Sequence, residues 1–386
     1  MDFRLTSEQL ELQDTARRFA TEQMKPVGRE IEQSAQPLSH DWLHRYAEMG
    51  FLGINVATEY GGMGLGNLEA LLVLEEFAKV SPAAAFPIFE SSVGPVRAIE
   101  HFAGEALKRR VLPAVCRGDL IVAVAMSEPD AGSALTDLKT TARIDGEQIV
   151  LNGQKRWSSG SGHSGGYVVY CRMSDAPGAA GIGAVYVEKG TRGVSFGQPE
   201  QLLGFRGIPS ADIFLDDVRV PLENLIVPAG GFKKLMEAFD LERCGNATMC
   251  LGIAAGALED ALQYVQERQQ FGKPIVDFQA VQLKLADMAM QVEATRLLIH
   301  RAAQNASEGL PSMLESSVAK CFANQAVREV CGNALQLLGA YGYSTQFPME
   351  QRLRDGWGWG IAGGTIDIQR VNIASALVGR RFNQRA

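Results

Sequence analysis

The chain contains no apolar run approaching the roughly 20 residues that a membrane-spanning helix needs. Its longest, LIVAVAM at residues 120–126, has the length and β-branched content of a buried strand. Basic residues are not in excess. Lys and Arg number 37 against 44 Asp and Glu, for a net charge of −7, which argues against a nucleic-acid partner, since neutralising phosphates takes clustered cations. The six cysteines include no C-x-x-C pair and match no zinc spacing, so buried reduced thiols are expected and no metal site. His40 and His44 stand one helical turn apart with no further ligand nearby; they read as polar positions of an amphipathic helix. The N-terminal MDFRLTSEQLELQ has early acidic residues and no apolar h-region, so a cytoplasmic protein with no membrane attachment is expected.

What is present divides into three blocks. Residues 1–120 read as helical. Thr6 and Gln9 form a capping box, and Leu12, Ala16, Phe19 and Ala20 make a helical stripe. The Gly-rich EYGGMGLGN at 59–67 separates two helical patterns, and Pro82 and Pro87 are expected to break the second. Residues 121–228 carry short β-rich runs bounded by Gly, Pro and Asp. Asp145-Gly146 between TTARI and EQIVL gives a two-residue hairpin signal. Residues 229–386 return to helices. Phe278, Val281, Leu285, Met288 and Val292 form a stripe expected to face the core, while Ser312 with Glu315 caps a further helix that Gly339 ends. The fold class is α+β, with no internal repeats.

Five segments lie along this layout: LPAVCRGDLIVAVAMSEPDAGS (112–133), LNGQKRWSSG (151–160), LGFRGIPSADIFLDDVRVP (203–221), ERQQFGKPI (267–275) and RDGWGWGIAGGTIDIQR (354–370). Together and in this order they resemble the acyl-CoA dehydrogenase family over essentially the whole chain. The resemblance implies an N-terminal helical domain, a middle β-barrel-like or β-sandwich domain and a C-terminal four-helix bundle. It also implies FAD as cofactor and a homotetramer, a dimer of dimers, because the family's cofactor site is shared between subunits. By the same resemblance Met126 and Ser127 meet the pyrimidine side of the flavin, where negative charge develops on reduction and donors are needed. Trp157 packs beside the isoalloxazine and Ser159 bonds N5. Arg268, Gln270 and Phe271 reach a neighbouring subunit's cofactor, as does Gln336. Thr365 and Asp367 lie near the adenosine portion, although the family usually has Gln at the second. Ser133 contacts the thioester arm, and Ala134 stands where Asp often follows it.

The resemblance also exposes a gap. Where the family commonly carries its catalytic glutamate, this chain has Gly363. Glycine takes no proton, but its backbone N–H remains, and in the family that N–H helps hold the thioester oxygen. A second carboxylate is Glu242 in FDLERCGNA. Leu235, Phe239, Glu242, Asn246, Met249 and Ile253 recur at three- and four-residue steps, so Glu242 shares a helical face with large apolar residues, where an unpaired carboxylate is costly. Some family members place their base at the matching site, directly before an arginine that braces the catalytic loop; Arg243 matches it. Asp240 matches a residue lining the thioester arm. Glu90, in PIFESSVGP, falls in a segment that contributes to the acyl pocket floor. There it is either an ordinary helix-end glutamate, a base for a more distant proton, or a contact for a polar acyl tail. The expected activity is FAD-dependent introduction of a double bond into an acyl-CoA or acyl-carrier-protein thioester. Glu242 would take the proton and flavin N5 the hydride, with reoxidation by an electron-transfer flavoprotein or another acceptor. The alternatives are a flavin monooxygenase on the same scaffold and a non-catalytic subunit of a hetero-oligomer. The small residues at 362–364 suggest room for a branched or cyclic acyl group.

Overall fold

A computed structural model describes residues 4–306 and 309–382. Seven helices come first: α1 (Ser7–Phe19), α2 (Lys25–Ser34), α3 (His40–Glu48), α4 (Asn67–Val80), α5 (Pro82–Ser92), α6 (Val96–Phe102) and α7 (Glu105–Cys116). The Thr6 capping box forms in full, with Gln9 N–H donating to the threonine hydroxyl and Thr6 N–H to the Gln9 side chain. The first proline behaves as expected and the second does not: α4 ends at Val80, just before Pro82. Pro82 also begins α5, because Ser81 caps it and a proline in the first turn has no N–H to waste. Pro87 lies inside α5. The Gly-rich segment at 59–67 is the turn between α3 and α4.

Eight strands follow: β1 (Val122–Ala125), β2 (Thr141–Asp145), β3 (Gln148–Ser159), β4 (Gly166–Arg172), β5 (Ile182–Glu188), β6 (Val194–Phe196), β7 (Ser210–Pro221) and β8 (Leu225–Val227). They make one sheet in the order β6-β7-β3-β2-β4-β5-β8, with β1 also on β4. The β2–β3 hairpin pairs through Asp145 and Gln148, so its two-residue loop is Gly146-Glu147, one residue later than expected. Gly146 takes the first loop position at φ +61°. One face of the sheet encloses a core including Ala123, Leu151, Val169, Val185 and Ile213. The other packs Val122, Val168 and Tyr170 against α6, α7 and the start of α8.

The C-terminal region comprises α8 (Phe232–Glu267), the small hairpin β9 (Gln269–Gln270) and β10 (Lys273–Pro274), α9 (Gln279–Gln304), α10 (Met313–Leu338), α11 (Ala340–Tyr343), α12 (Met349–Trp359) and α13 (Ile366–Val378). In the bundle, α10 packs on α8, α9 and α13, and α4 lies across α8. Ser312 caps α10 and Gly339 closes it, as expected. The α9 stripe is only partly internal: Met288 and Val292 are buried, but Phe278, Val281 and Leu285 are half-exposed within one chain. Periodicity reports which face is apolar; it does not say whether the same chain covers it.

Candidate active site

Two segments of the β region meet at one end of the sheet. Arg156 N–H donates to the Ser127 carbonyl at 3.0 Å, and the Ser127 hydroxyl donates to the Arg156 carbonyl at 2.8 Å. This ties the end of β1 to β3 at a bulge between Lys155 and Ser158. Trp157 sits in the bulge at φ +65°, with its indole 52% exposed and the Arg156 guanidinium 4.6 Å from its ring centre. A left-handed tryptophan costs on the order of 1–3 kcal/mol and persists only where surroundings impose it; here the bulge turns an aromatic face outward. Beneath it, fully buried Lys155 donates to the Met126 carbonyl at 3.0 Å and to Glu128 at 2.9 Å. Glu128 also accepts the N–H groups of Lys139 and Thr140 at 2.6 and 2.8 Å. The loop after β1 is therefore pinned from within, and Met126, Ser127, Trp157 and half-buried Ser159 come together. Ser133 lies further along that loop and is exposed.

Glu242 lies in the third turn of α8. It lines a cavity with Gly94, Pro95, Ala98, Tyr170, Phe239 and Val124. Val124 stands two residues before Met126 on the same strand face, so the end of β1 opens onto the turn of α8 that carries Glu242. Glu242 keeps partial solvent access, yet its carboxyl is deeply enclosed. Desolvation pushes its pKa up to about 8, against the smaller opposing pull of Lys320 and then Arg243. It makes no ion pair or hydrogen bond with any described residue. Its sequence neighbour Arg243 points elsewhere and pairs with Asp240, three residues back. Asp240 is 4% exposed and also accepts the Ser316 hydroxyl at 2.7 Å. Asp240 and Arg243 thus form a buried brace under the Glu242 turn.

The turn joining α12 to α13 comes alongside. Gly363 has φ +65°, and a Cβ there would stand 3.2 Å from Lys320 Nζ, 3.6 Å from Phe239 and 3.8 Å from Asn246. Phe239 lines the Glu242 cavity and Asn246 is one turn beyond Glu242, so the structure brings Glu242 and Gly363 together. The Gly363 N–H has no acceptor among the described residues. Its carbonyl, and those of Ala362 and Gly364, accept from Lys320 Nζ, at 2.7 Å for Gly363 and 2.8 Å for Gly364. Lys320 is fully buried, and desolvation first, then the Arg243 charge, brings its pKa down to about 7. Asn246 donates to the Trp359 carbonyl at 3.0 Å and accepts from Asn324 at 3.0 Å.

Glu90 does not line this cavity; it faces a separate one with Leu43, Pro87 and Val122. It is 4% exposed, on the C-terminal half of α5, and its Oε2 has no hydrogen-bond partner. Close approach of α5 to α8 depends on Gly245, where a Cβ would fall 2.4 Å from Val93 and 2.9 Å from Phe89.

Most of the remaining expected residues are remote; Thr365 is not, standing two residues past Gly363 in the same turn. Arg268, Gln270 and Phe271 lie just past the end of α8, all exposed, Phe271 by 93% at φ +52°. At 1.5 Å per residue the span from Glu242 to Arg268 is on the order of 40 Å. Gln336 is exposed on α10; Thr365 caps α13 by accepting Ile368 N–H at 3.3 Å, and exposed Asp367 pairs with Arg370 at 3.2 Å. His44 faces Asp119 at 3.2 Å. Sequence reasoning missed Lys320, Asn324 and Asp355. The last is buried and accepts Phe205 N–H at 2.7 Å, docking the LGFRG segment on α12. A lysine and an asparagine on the apolar face of α10 were the available signal.

The acyl-CoA dehydrogenase N-terminal, middle and C-terminal domains match residues 6–119, 123–218 and 229–378. The chain is 38% identical to 3-sulfinopropanoyl-CoA desulfinase of Paraburkholderia xenovorans over 99% of both chains. It is 38% identical to acryloyl-CoA reductase (NADH) of Anaerotignum propionicum, over 98% of this chain and 97% of that one. The butyryl-CoA dehydrogenase of Megasphaera elsdenii superimposes with a TM-score of 0.94 at 32% identity, over 98% of this chain and all of that one. The FAD complex of PigA does so with a TM-score of 0.92 at 27% identity, over 98% and 99%. No helix among the described residues is long and apolar enough to cross a membrane. From the three domain matches and these near full-length likenesses, the chain belongs to the acyl-CoA dehydrogenase family.

Proposed function

We propose that this chain is an FAD-dependent acyl-thioester dehydrogenase in which Glu242 takes the α-proton and the Gly363 N–H holds the thioester oxygen. The observation that carries the reading is the position of Glu242: unpaired, on a cavity wall, with its proton affinity raised by burial, beside a free N–H. An α-proton of a thioester is weakly acidic, so the acceptor must be a stronger base than an exposed carboxylate; a glutamate with a pKa near 8 meets that need at neutral pH. The N–H of Gly363 stabilises the enolate-like charge as it forms, and Lys320 keeps that N–H aimed by fixing three consecutive carbonyls.

The donor set at the end of β1 suits the family cofactor. An outward-turned indole, two hydroxyls and a pinned main-chain loop fit a planar heteroaromatic ring with polar edges. Met126, Ser127, Trp157 and Ser159 would hold it, and bound FAD supplies the hydride acceptor. Arg268, Gln270, Phe271 and Gln336 lie too far along the bundle to serve the same site, which supports their completing the cofactor site of a second copy. Exposed apolar residues on α9 and around it, Leu283, Met290 and Tyr343 among them, support burial of that surface in a homotetramer. An electron-transfer flavoprotein is the proposed acceptor, and six unpaired, buried cysteines suit a reducing, cytoplasmic setting. The test is anaerobic addition of acyl-CoA thioesters to the purified yellow protein. Flavin bleaching with formation of the enoyl thioester supports the reading. No bleaching by any thioester, with rapid oxygen consumption after chemical reduction, would favour a monooxygenase instead.

A further inference from the structure

Three polar groups at or beside the Glu242 cavity have no partner among the described residues: the Glu242 carboxyl, the Gly363 N–H and the hydroxyl of Tyr170. The reaction above uses the first two. Tyr170 lies on β4, is 2% exposed, and lines the cavity together with Glu242. β1 and β4 run parallel with Val124 opposite Val168. Two residues further along each strand, Tyr170 therefore comes level with Met126 on the same face of the sheet. The phenol stands where the end of β1 opens toward the α8 turn that carries Glu242. Buried tyrosine hydroxyls usually find a hydrogen-bond partner, and leaving one without costs about 1–3 kcal/mol. Burial first, and then the Glu242 charge, keep the phenol protonated against the opposing pull of Arg243. Tyr170 is thus a neutral donor facing the space where an acyl group would lie.

The rest of the lining decides what that donor can meet. It is apolar, with Pro95, Ala98, Val124, Val168 and Phe239 in it. A plain alkyl tail leaves the hydroxyl unsatisfied. An anionic tail accepts its proton but brings a charge beside Glu242 with no free cation to balance it. Lys320 is engaged by the carbonyls of residues 362–364 and Arg243 by Asp240. An ammonium would pair with Glu242 and occupy the base. An uncharged oxygen, hydroxyl or carbonyl, accepts the hydrogen bond and adds no charge. Cα gives its proton to Glu242 and Cβ its hydride to the flavin, so the oxygen belongs on the fourth carbon or beyond. We propose that Tyr170 is a specificity-determining residue that donates to an uncharged oxygen on the acyl chain, so that this chain takes hydroxyacyl or oxoacyl thioesters in preference to alkyl or acidic ones. The proposal rests on the reading that an acyl thioester occupies the Glu242 cavity. Tyr170 acts in binding, while Glu242 remains the base.

The test titrates the holoenzyme anaerobically with paired thioesters and reads half-saturation from the flavin spectrum. The pairs are 4-hydroxybutanoyl-CoA with pentanoyl-CoA, 5-hydroxypentanoyl-CoA with hexanoyl-CoA, and 4-oxopentanoyl-CoA with 4-methylpentanoyl-CoA; in each, carbon replaces the oxygen. Succinyl-CoA is the acidic case. Wild type is expected to bind at least one oxygen-bearing thioester about tenfold or more tightly than its partner, and succinyl-CoA more weakly than that thioester. Tyr170→Phe removes the hydroxyl alone and is expected to bring the ratio to within about threefold of one; Tyr170→Met serves if the Phe variant fails to fold. A wild-type ratio near one in every pair overturns the proposal, and so does a ratio that survives in the variant. Tighter binding of succinyl-CoA than of every oxygen-bearing thioester overturns it as well. A moved pH dependence of bleaching in Tyr170→Phe, with the ratio unchanged, would make Tyr170 a group that tunes Glu242 and would equally reject it. Failure of the underlying reading looks different: no thioester of any kind perturbs or bleaches the flavin.

Discussion

At the scale of single residues, the proposed chemistry depends on one largely enclosed carboxyl without a partner. Its raised pKa makes two linked predictions. As a base Glu242 works ionised, so the rate of flavin reduction should rise about tenfold per pH unit below 8 and level off above it; a stopped-flow series from pH 6 to 9.5 checks this. In stability the sign is opposite. A folded-state pKa near 8, above the ordinary 4.5, means the folded protein holds an extra proton between those values. The stabilising contribution is full below about pH 4.5 and is lost as pH rises through 8. Glu242→Gln should therefore gain in Tm relative to wild type as pH goes from 5 to 9. A constant difference would contradict the burial argument. Glu242 itself was legible in sequence, because a lone carboxylate on an apolar helical face is conspicuous. Its isolation from Arg243 was not: neighbours in sequence suggest a pair, and only the helix geometry sends the arginine to Asp240.

At the scale of elements, the turn between α12 and α13 is held from beneath by α10. Replacing Lys320 with Met should leave three carbonyls without their donor and destabilise by about 3 kcal/mol. Bleaching should slow because the Gly363 N–H loses its aim, measured by chemical denaturation and stopped-flow absorbance on the same protein. Gly363→Ala should cost about 1–2 kcal/mol, since an alanine at φ +65° is strained and its Cβ would crowd Lys320 at 3.2 Å. Elements were largely readable: the capping boxes at Thr6 and Ser312 and the stop at Gly339 mark helix ends chemically. Pro82 marked the end of α4 correctly, but Pro87 was misread as a break, since it lies inside the fully buried α5. The β3 bulge at Trp157 had no signal in residue type at all; it follows from register against β7, a long-range property.

At the scale of the whole molecule, the half-exposed stripe of α9 and the exposed Arg268–Phe271 segment are the surfaces that the proposed second copy would cover. Arg268→Ala should lower FAD retention about tenfold or more, since a guanidinium is the natural partner of a diphosphate. Its circular dichroism should be unchanged. Light scattering should report a tetramer in wild type, and a monomer that keeps FAD would contradict the shared site. The three-block layout was plain in the sequence, because texture changes from helical to β periodicity and back. Contacts between blocks were not. The approach of α5 to α8, allowed by Gly245, brings Glu90 close enough to feel the Glu242 charge although the two are far apart in the chain, and local pattern carries no such information.

The central claim is that Glu242 collects the α-proton. Its most direct measurement is the anaerobic rate of flavin bleaching in wild type and Glu242→Gln, both saturated with the best thioester. A fall of about a thousandfold or more with substrate binding retained is the predicted result. Bleaching by the Gln variant within about threefold of wild type would show that another group takes the proton.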